Sequence, residues 1–247
     1  MLSEIIADIH TAMRQASGRF EPYPETRYHK HREYLTYGLS APEFRRILKL
    51  HESRIESLNL TDRLKLARQA LEKHIGELGH TAIWIISSSV AELTREDLVI
   101  IEQFPAEFRS WSHVDHFCGN VMQPLLQKFP QVILKILDGW TRSPIRWKRR
   151  GSVVVFTRSV ARSGEFTDIT LEYCERLIWD SEDIVRKGVG WALKDTMKSD
   201  RPRIIDYIKN LRRRGVSSTI TLYAIRDVKG AERAEIMKIR KGKDDEG

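Results

Sequence analysis

Four stretches of the chain, SWSHVDHF from Ser110, RWKRRGSVVVF from Arg146, DIVRKGVGWAL from Asp183 and SSTITLYAI from Ser217, start 36, 37 and 34 residues apart. That interval is the length of one helix pair, and a unit of that size cannot bury its apolar faces alone. Such units must stack, so the period dictates helical hairpins that share a continuous core and line a concave surface with their inner helices. The likeness is one of pattern, not of identical residues.

Apolar residues recur at helical spacing elsewhere too, predicting helices over 2–17, 42–51, 61–77, 81–92, 95–103, 110–126, 130–140, 144–163, 166–178, 182–198, 201–213, 216–226 and 231–240. Capping patterns open several of them: Thr61-Asp62, Thr94 to Asp97, and Ser181-Glu182-Asp183. Val153-Val154-Val155-Phe156 is the single β-like run, and it lies inside a helical stretch. The fold class is therefore all α: a solenoid of antiparallel helix pairs, one repeat domain over 1–240, followed by a disordered tail, KGKDDEG, at 241–247.

An apolar content of 41% in 247 residues supports a folded chain and excludes disorder of the whole. No apolar run reaches membrane-spanning length, and Glu4 and Asp8 stand where a signal peptide is basic and then greasy, so a cytoplasmic location is expected. Cys118 and Cys174 lack the spacing of a zinc or redox motif and read as buried reduced thiols. The formal charge of +8 favours a polyanionic partner and leaves nucleic acid and anionic membrane both open.

That charge is unevenly placed. No acidic residue falls between Asp138 and Glu165, an interval holding Arg142, Arg146, Lys148, Arg149, Arg150, Arg158 and Arg162. Arg186, Lys187 and the run Arg212-Arg213-Arg214 continue the theme in the next two repeats. Successive basic helices along one groove neutralise consecutive phosphates, which gives salt-sensitive, sequence-independent binding.

Three tryptophans accompany these charges. Trp111 and Asp115 are four residues apart and share a helix face; Trp147 and Arg150, three apart, do the same. Trp191 follows Gly188 and Gly190, glycines that are costly in a helix unless something must approach closely. Together they suggest a pocket of aromatics, one carboxylate and one guanidinium, whereas Trp84, Trp140 and Trp179 read as core. His113, Asp115, His116 and Cys118 repeat no known ligand spacing, so neither metal nor cofactor is expected.

In that order and spacing, SWSHVD, WKRRGSVVVF and DIVRKGVGWALKD resemble the DNA alkylation repair family of the AlkD type, HEAT-like-repeat DNA glycosylases for N3- and N7-alkylated purines. The likeness runs from about Tyr28 to Arg240, with YGLSAPEFRRI matching the family's Gly-x-x-x-Pro-Glu segment. It implies that Trp111 and Asp115 match the active-site Trp and catalytic Asp, Arg150 the active-site Arg and Trp191 the second active-site Trp. Tyr28, or His29 in its place, matches an N-terminal DNA-contacting Tyr. The remaining DNA contacts expected are Arg146, Trp147, Lys148, Arg149, Arg186, Lys187, Arg212, Arg213 and Arg214. The segment HTAIWIISSSV is plainer than the acidic-aliphatic helix that often precedes the Trp-Asp repeat in the family.

The resemblance implies a monomer acting on duplex DNA, with water releasing an already cationic base and the lesion kept near the stack. No phosphate-cradling glycine loop, nucleophile elbow or helix-hairpin-helix pairing of Lys and Asp points to other chemistry. The same scaffold would also serve a non-catalytic binder of DNA structure, or a scaffold for protein partners.

Overall fold

Helices begin where the four repeated stretches do: α6 (Trp111–Phe117), α9 (Arg146–Val154), α12 (Asp183–Thr196) and α14 (Ser218–Ala224). The structure, a computed structural model, describes residues 2–27, 29 and 33–239; Tyr28 and the 241–247 tail lie outside the described residues. Those described form an all-α helical-repeat fold, relieved by one antiparallel pairing of β1 (Tyr23–Pro24) with β2 (Leu35–Thr36). No described helix is long and apolar enough to cross a membrane. The chain divides into two compact units, Met1–Pro130 and Gln131–Gly247.

In the first unit α1 (Leu2–Ser17) buries Ile5, Ile6, Ile9 and Met13, one stripe at helical spacing, against α2 (Ala41–Glu56) and α3 (Leu60–Leu71). Each such side chain contributes roughly 1.5–3 kcal/mol of burial. α4 (Gly76–Ser88) packs on both α3 and α6 and is buried along most of its length, as its apolar sequence requires. One charge is buried with it. Glu77 accepts from Thr36 Oγ1 at 2.6 Å and from the N–H groups of Tyr37 and Gly38 at 3.0 Å, so the carboxylate is satisfied and fixes the 36–38 turn. A short α5 (Leu98–Ile101) precedes α6, and beyond α6 the helical run continues through a π turn, Cys118–Met122, into α7 (Gln123–Lys128). Pro124 has no N–H for the carbonyl four residues back and crowds it, and the wider turn makes the room.

In the second unit, α8 (Pro130–Thr141) precedes α9, α10 (Arg158–Ser163) and α11 (Thr167–Leu177), and α13 (Arg201–Arg213) and α15 (Gly230–Lys238) flank α14. α12 is central: it packs on α9, α11 and α14, so helices in equivalent repeat positions lie against one another.

Several expectations need correcting. The helix expected over 144–163 is two, because the chain turns at 155–157 and Arg158 takes a left-handed φ of 58°. Helices expected over 61–77 and 81–92 instead end at Leu71 and begin at Gly76, through His74 at φ 54°. The N-cap of α3 is Asn59, which accepts from the Asp62 N–H, and no side chain caps α12 at Glu182. Trp140 is core, but Trp84 is half-buried and Trp179, in the turn that follows α11, is 62% exposed.

Candidate functional site

The first unit holds Trp111 and Asp115. Both are half-exposed and one helical turn apart on α6, which buries His113, Val114 and Phe117 on its inner side and leaves Ser112 and His116 half-exposed. Trp111 is oriented by its neighbours: the His29 ring stacks on it with planes 12° apart and centroids 5.7 Å apart, and Tyr34 stacks on His29 at 4.2 Å. His29 thus stacks on the predicted aromatic, Trp111.

A chain of hydrogen bonds runs beside this stack. Glu25 Oε2 lies 2.7 Å from His29 Nδ1, His29 Nε2 2.7 Å from Ser110 Oγ, and Ser110 Oγ 2.7 Å from Ser112 Oγ. Ser112 Oγ is 3.2 Å from His80 Nε2, whose Nδ1 is 3.1 Å from that of His116. One assignment with one proton on each ring serves every link: His29 donates to Glu25, Ser110 to His29, Ser112 to Ser110, His80 to Ser112 and His116 to His80. Burial, with His113, His116 and His29 around it, holds the His80 pKa well below the ordinary histidine value. Ser110 is also the N-cap of α6 and accepts from the Ser112 N–H at 2.9 Å. These bonds therefore tie Glu25 and His29 to the helix that presents Trp111 and Asp115. Sequence reasoning missed His80, Ser110 and Ser112. The signal was present, since His80 and His116 lie 36 residues apart, one repeat, on the packed pair α4 and α6. Among the described residues no group of three or more His, Cys, Asp or Glu could hold a metal.

The second unit holds Arg150 and Trp191. Arg150 is buried, donates from Nη1 to the Ile184 carbonyl at 2.8 Å, and lies against Gly188, where an added Cβ would stand 3.3 Å from Arg150 Cγ. Gly188 thus serves the close approach expected of it. Trp191 is half-exposed and donates its indole N–H to Asp195 Oδ2 at 3.0 Å, while the Arg158 guanidinium lies 5.4 Å above its ring. Asp195 was missed, although it stands four residues after Trp191 as Asp115 does after Trp111.

The expected DNA-contacting cations differ in what they already hold. Trp147 is core, with the Arg146 guanidinium 4.8 Å over its ring, and Arg146 also pairs with Glu182 at 3.8 Å. Arg149 binds Asp180 at 2.6 Å, and both Lys187, at 2.8 Å, and Arg186, at 3.8 Å, reach Asp183. Arg214 pairs with Glu175 at 2.5 Å, and its hydrogen bond there is the chief reason that the Glu175 pKa is lowered. Arg212 donates to the Met237 and Ile239 carbonyls and so anchors the end of α15, whereas Arg213 is exposed. Lys148, half-exposed, makes no ion pair with any described residue.

The family described as DNA alkylation repair enzyme matches residues 21–228. A solved structure described as a predicted DNA alkylation repair enzyme from Enterococcus faecalis is similar over 83% of this chain and 93% of that one, with 17% identity and a TM-score of 0.71. The alkylpurine DNA glycosylase AlkC of Pseudomonas fluorescens, solved on DNA containing an abasic site analogue, shares 14% identity over 90% of this chain and 62% of its own, with a TM-score of 0.43. No curated protein matches the chain.

Proposed function

The chain belongs to the DNA alkylation repair enzyme family, and on that premise we propose that it is a monofunctional glycosylase, acting as a monomer on cationic N3- and N7-alkylated purines in duplex DNA. The observation that carries the reading is the pairing on α6: a half-exposed carboxylate, Asp115, one turn from a half-exposed indole, Trp111, whose plane His29 fixes.

This small set is sufficient because of the substrate's own charge. An N3- or N7-alkylpurine is cationic, so the base leaves without a general acid. As the N-glycosidic electron pair departs with the base and cancels its charge, positive charge grows on the deoxyribose. Asp115 stabilises that charge and orients a water, whose oxygen bonds to the anomeric carbon while the carboxylate takes its proton. The face of Trp111 attracts the cationic sugar edge by on the order of 1–2 kcal/mol once water is excluded; in the second unit Trp191 offers an aromatic surface to the same DNA. Arg150, fixed at the first turn of α12, supplies a standing positive charge for a phosphate.

Incubating the protein with methylated duplex DNA and measuring free 3-methyladenine or 7-methylguanine tests the proposal. Release is expected, and Asp115→Asn is expected to reduce it on the order of 100-fold or more while DNA affinity is kept. Intact DNA binding without base release would overturn the enzymatic reading in favour of a non-catalytic binder.

A further inference from the structure

Around Trp191 lies a second arrangement with a different chemistry. Asp195 is 2% exposed and is surrounded by donors: the Trp191 indole N–H at 3.0 Å, the Arg158 backbone N–H at 2.8 Å, Lys194 Nζ at 3.1 Å and Lys198 Nζ at 3.2 Å. Burial pushes its pKa up, but the Arg158 N–H and the two ammonium groups outweigh that and hold it below the ordinary aspartate value. The carboxylate therefore stays ionised and keeps all four donors in place.

Two consequences follow for Arg158. Its φ of 58° is one that a non-glycine residue adopts at a cost, and the bond from its N–H to Asp195 holds it there. That backbone turn ends α9 early and sends an exposed guanidinium over the Trp191 ring. Unlike Arg149 or Arg214, this guanidinium makes no ion pair with any described residue, so its charge is available to a ligand. Lys198, exposed, adds a second cation whose only carboxylate partner among the described residues is the shared Asp195. A strained cation on an indole face, beside a lysine and built over a buried anion, suits one class of ligand: a phosphodiester, with its oxygens on the cations and its sugar against the aromatic edge.

We propose that Arg158 and Lys198, beside Trp191, form a binding site for a DNA backbone phosphate, and that Asp195 is its positioning residue. This rests on the glycosylase reading for its ligand, not for its geometry.

The test is the affinity of the full-length protein for a short undamaged duplex, measured over a range of salt. Arg158→Gly removes the guanidinium and suits the left-handed backbone. Its melting temperature is expected to hold or rise, while affinity falls on the order of 10-fold and the salt slope drops by about 1. Lys198→Ala should act in the same direction. Asp195→Asn should lower affinity by a similar factor, change the Trp191 fluorescence, and add little to Arg158→Gly in the double variant, because both act on one element. Folded variants with wild-type affinity and slope would overturn the proposal and leave the glycosylase reading standing. Failure of the wild-type protein to bind duplex DNA would overturn both.

Discussion

His113 is buried in α6 two residues from Trp111, and a histidine in that setting needs a partner for each ring nitrogen. Its Nε2 donates to the Gly76 carbonyl at 3.0 Å and its Nδ1 faces the Arg109 N–H at 3.5 Å, so the neutral ring is the form that fits. Burial is the chief reason that its pKa falls to about 4, against the pull of the Gly76 carbonyl, while the unfolded value is 6.5. Between these values the unfolded chain binds the more protons. The stabilisation is thus complete above pH 6.5 and is lost as pH falls through about 4, on the order of 3 kcal/mol in all. His80, lowered in the same direction, adds to it. The melting temperature should therefore drop between pH 7 and pH 5. In His113→Gln the protein should be less stable throughout, but with a smaller difference between the two pH values. An unchanged difference would place the acid sensitivity elsewhere. The residue types at this site were legible in the sequence, where His113, Asp115, His116 and Cys118 drew notice as possible ligands. Their real partners were not legible, because His29 and His80 arrive from other elements and local spacing carries no record of that.

Packing between elements decides what each glycine of the second unit is for. At Gly190 on α12 an added Cβ would stand 2.7 Å from Tyr223 Cβ and 2.8 Å from the Ile220 carbonyl oxygen of α14, and backbone cannot step aside as a flexible side chain does. Gly190→Ala should destabilise the protein by about 1–3 kcal/mol despite alanine's better helix propensity. Gly139, in α8, faces open space, so Gly139→Ala should stabilise by about 0.5–1 kcal/mol. Urea denaturation of the two variants checks both signs. Close approach at Gly190 was readable from a glycine inside a helical pattern, but α14 as the approaching element was not. The breaks at 72–75 and 155–157 were harder still. Neither contains a glycine or proline, and each turns on a left-handed residue, His74 or Arg158. For Arg158 the bond that holds the turn comes from Asp195, 37 residues on, so the helical pattern of 144–163 ran straight through a break that only tertiary contact creates.

The whole molecule carries a net charge of +8, and the acid-free interval from 139 to 164 pointed to a polyanion, yet charge in a sequence does not reveal which cations are already engaged. Arg149 and Lys148 are adjacent in that interval and should behave in opposite ways. Arg149 binds Asp180 in a pair whose side chains are 16% and 6% exposed, and it donates to the Ser143 and Pro144 carbonyls as well. It is a structural cation. Removing it leaves a buried aspartate without its charge partner, so Arg149→Ala should cost about 3 kcal/mol of stability. Lys148 has no such commitment, and Lys148→Ala should leave the melting temperature alone while reducing by about 1 the slope of log affinity against log salt. Because Arg146, Lys187 and Arg214 are also paired with carboxylates, the wild-type slope should fall well short of the number of basic side chains in these repeats. A slope that matched their full number would mean that DNA breaks these pairs on binding. In that case Asp180→Asn, which frees Arg149 in advance, should tighten binding to duplex DNA, and the distinction between structural and DNA-facing cations drawn from the ion pairs would fall.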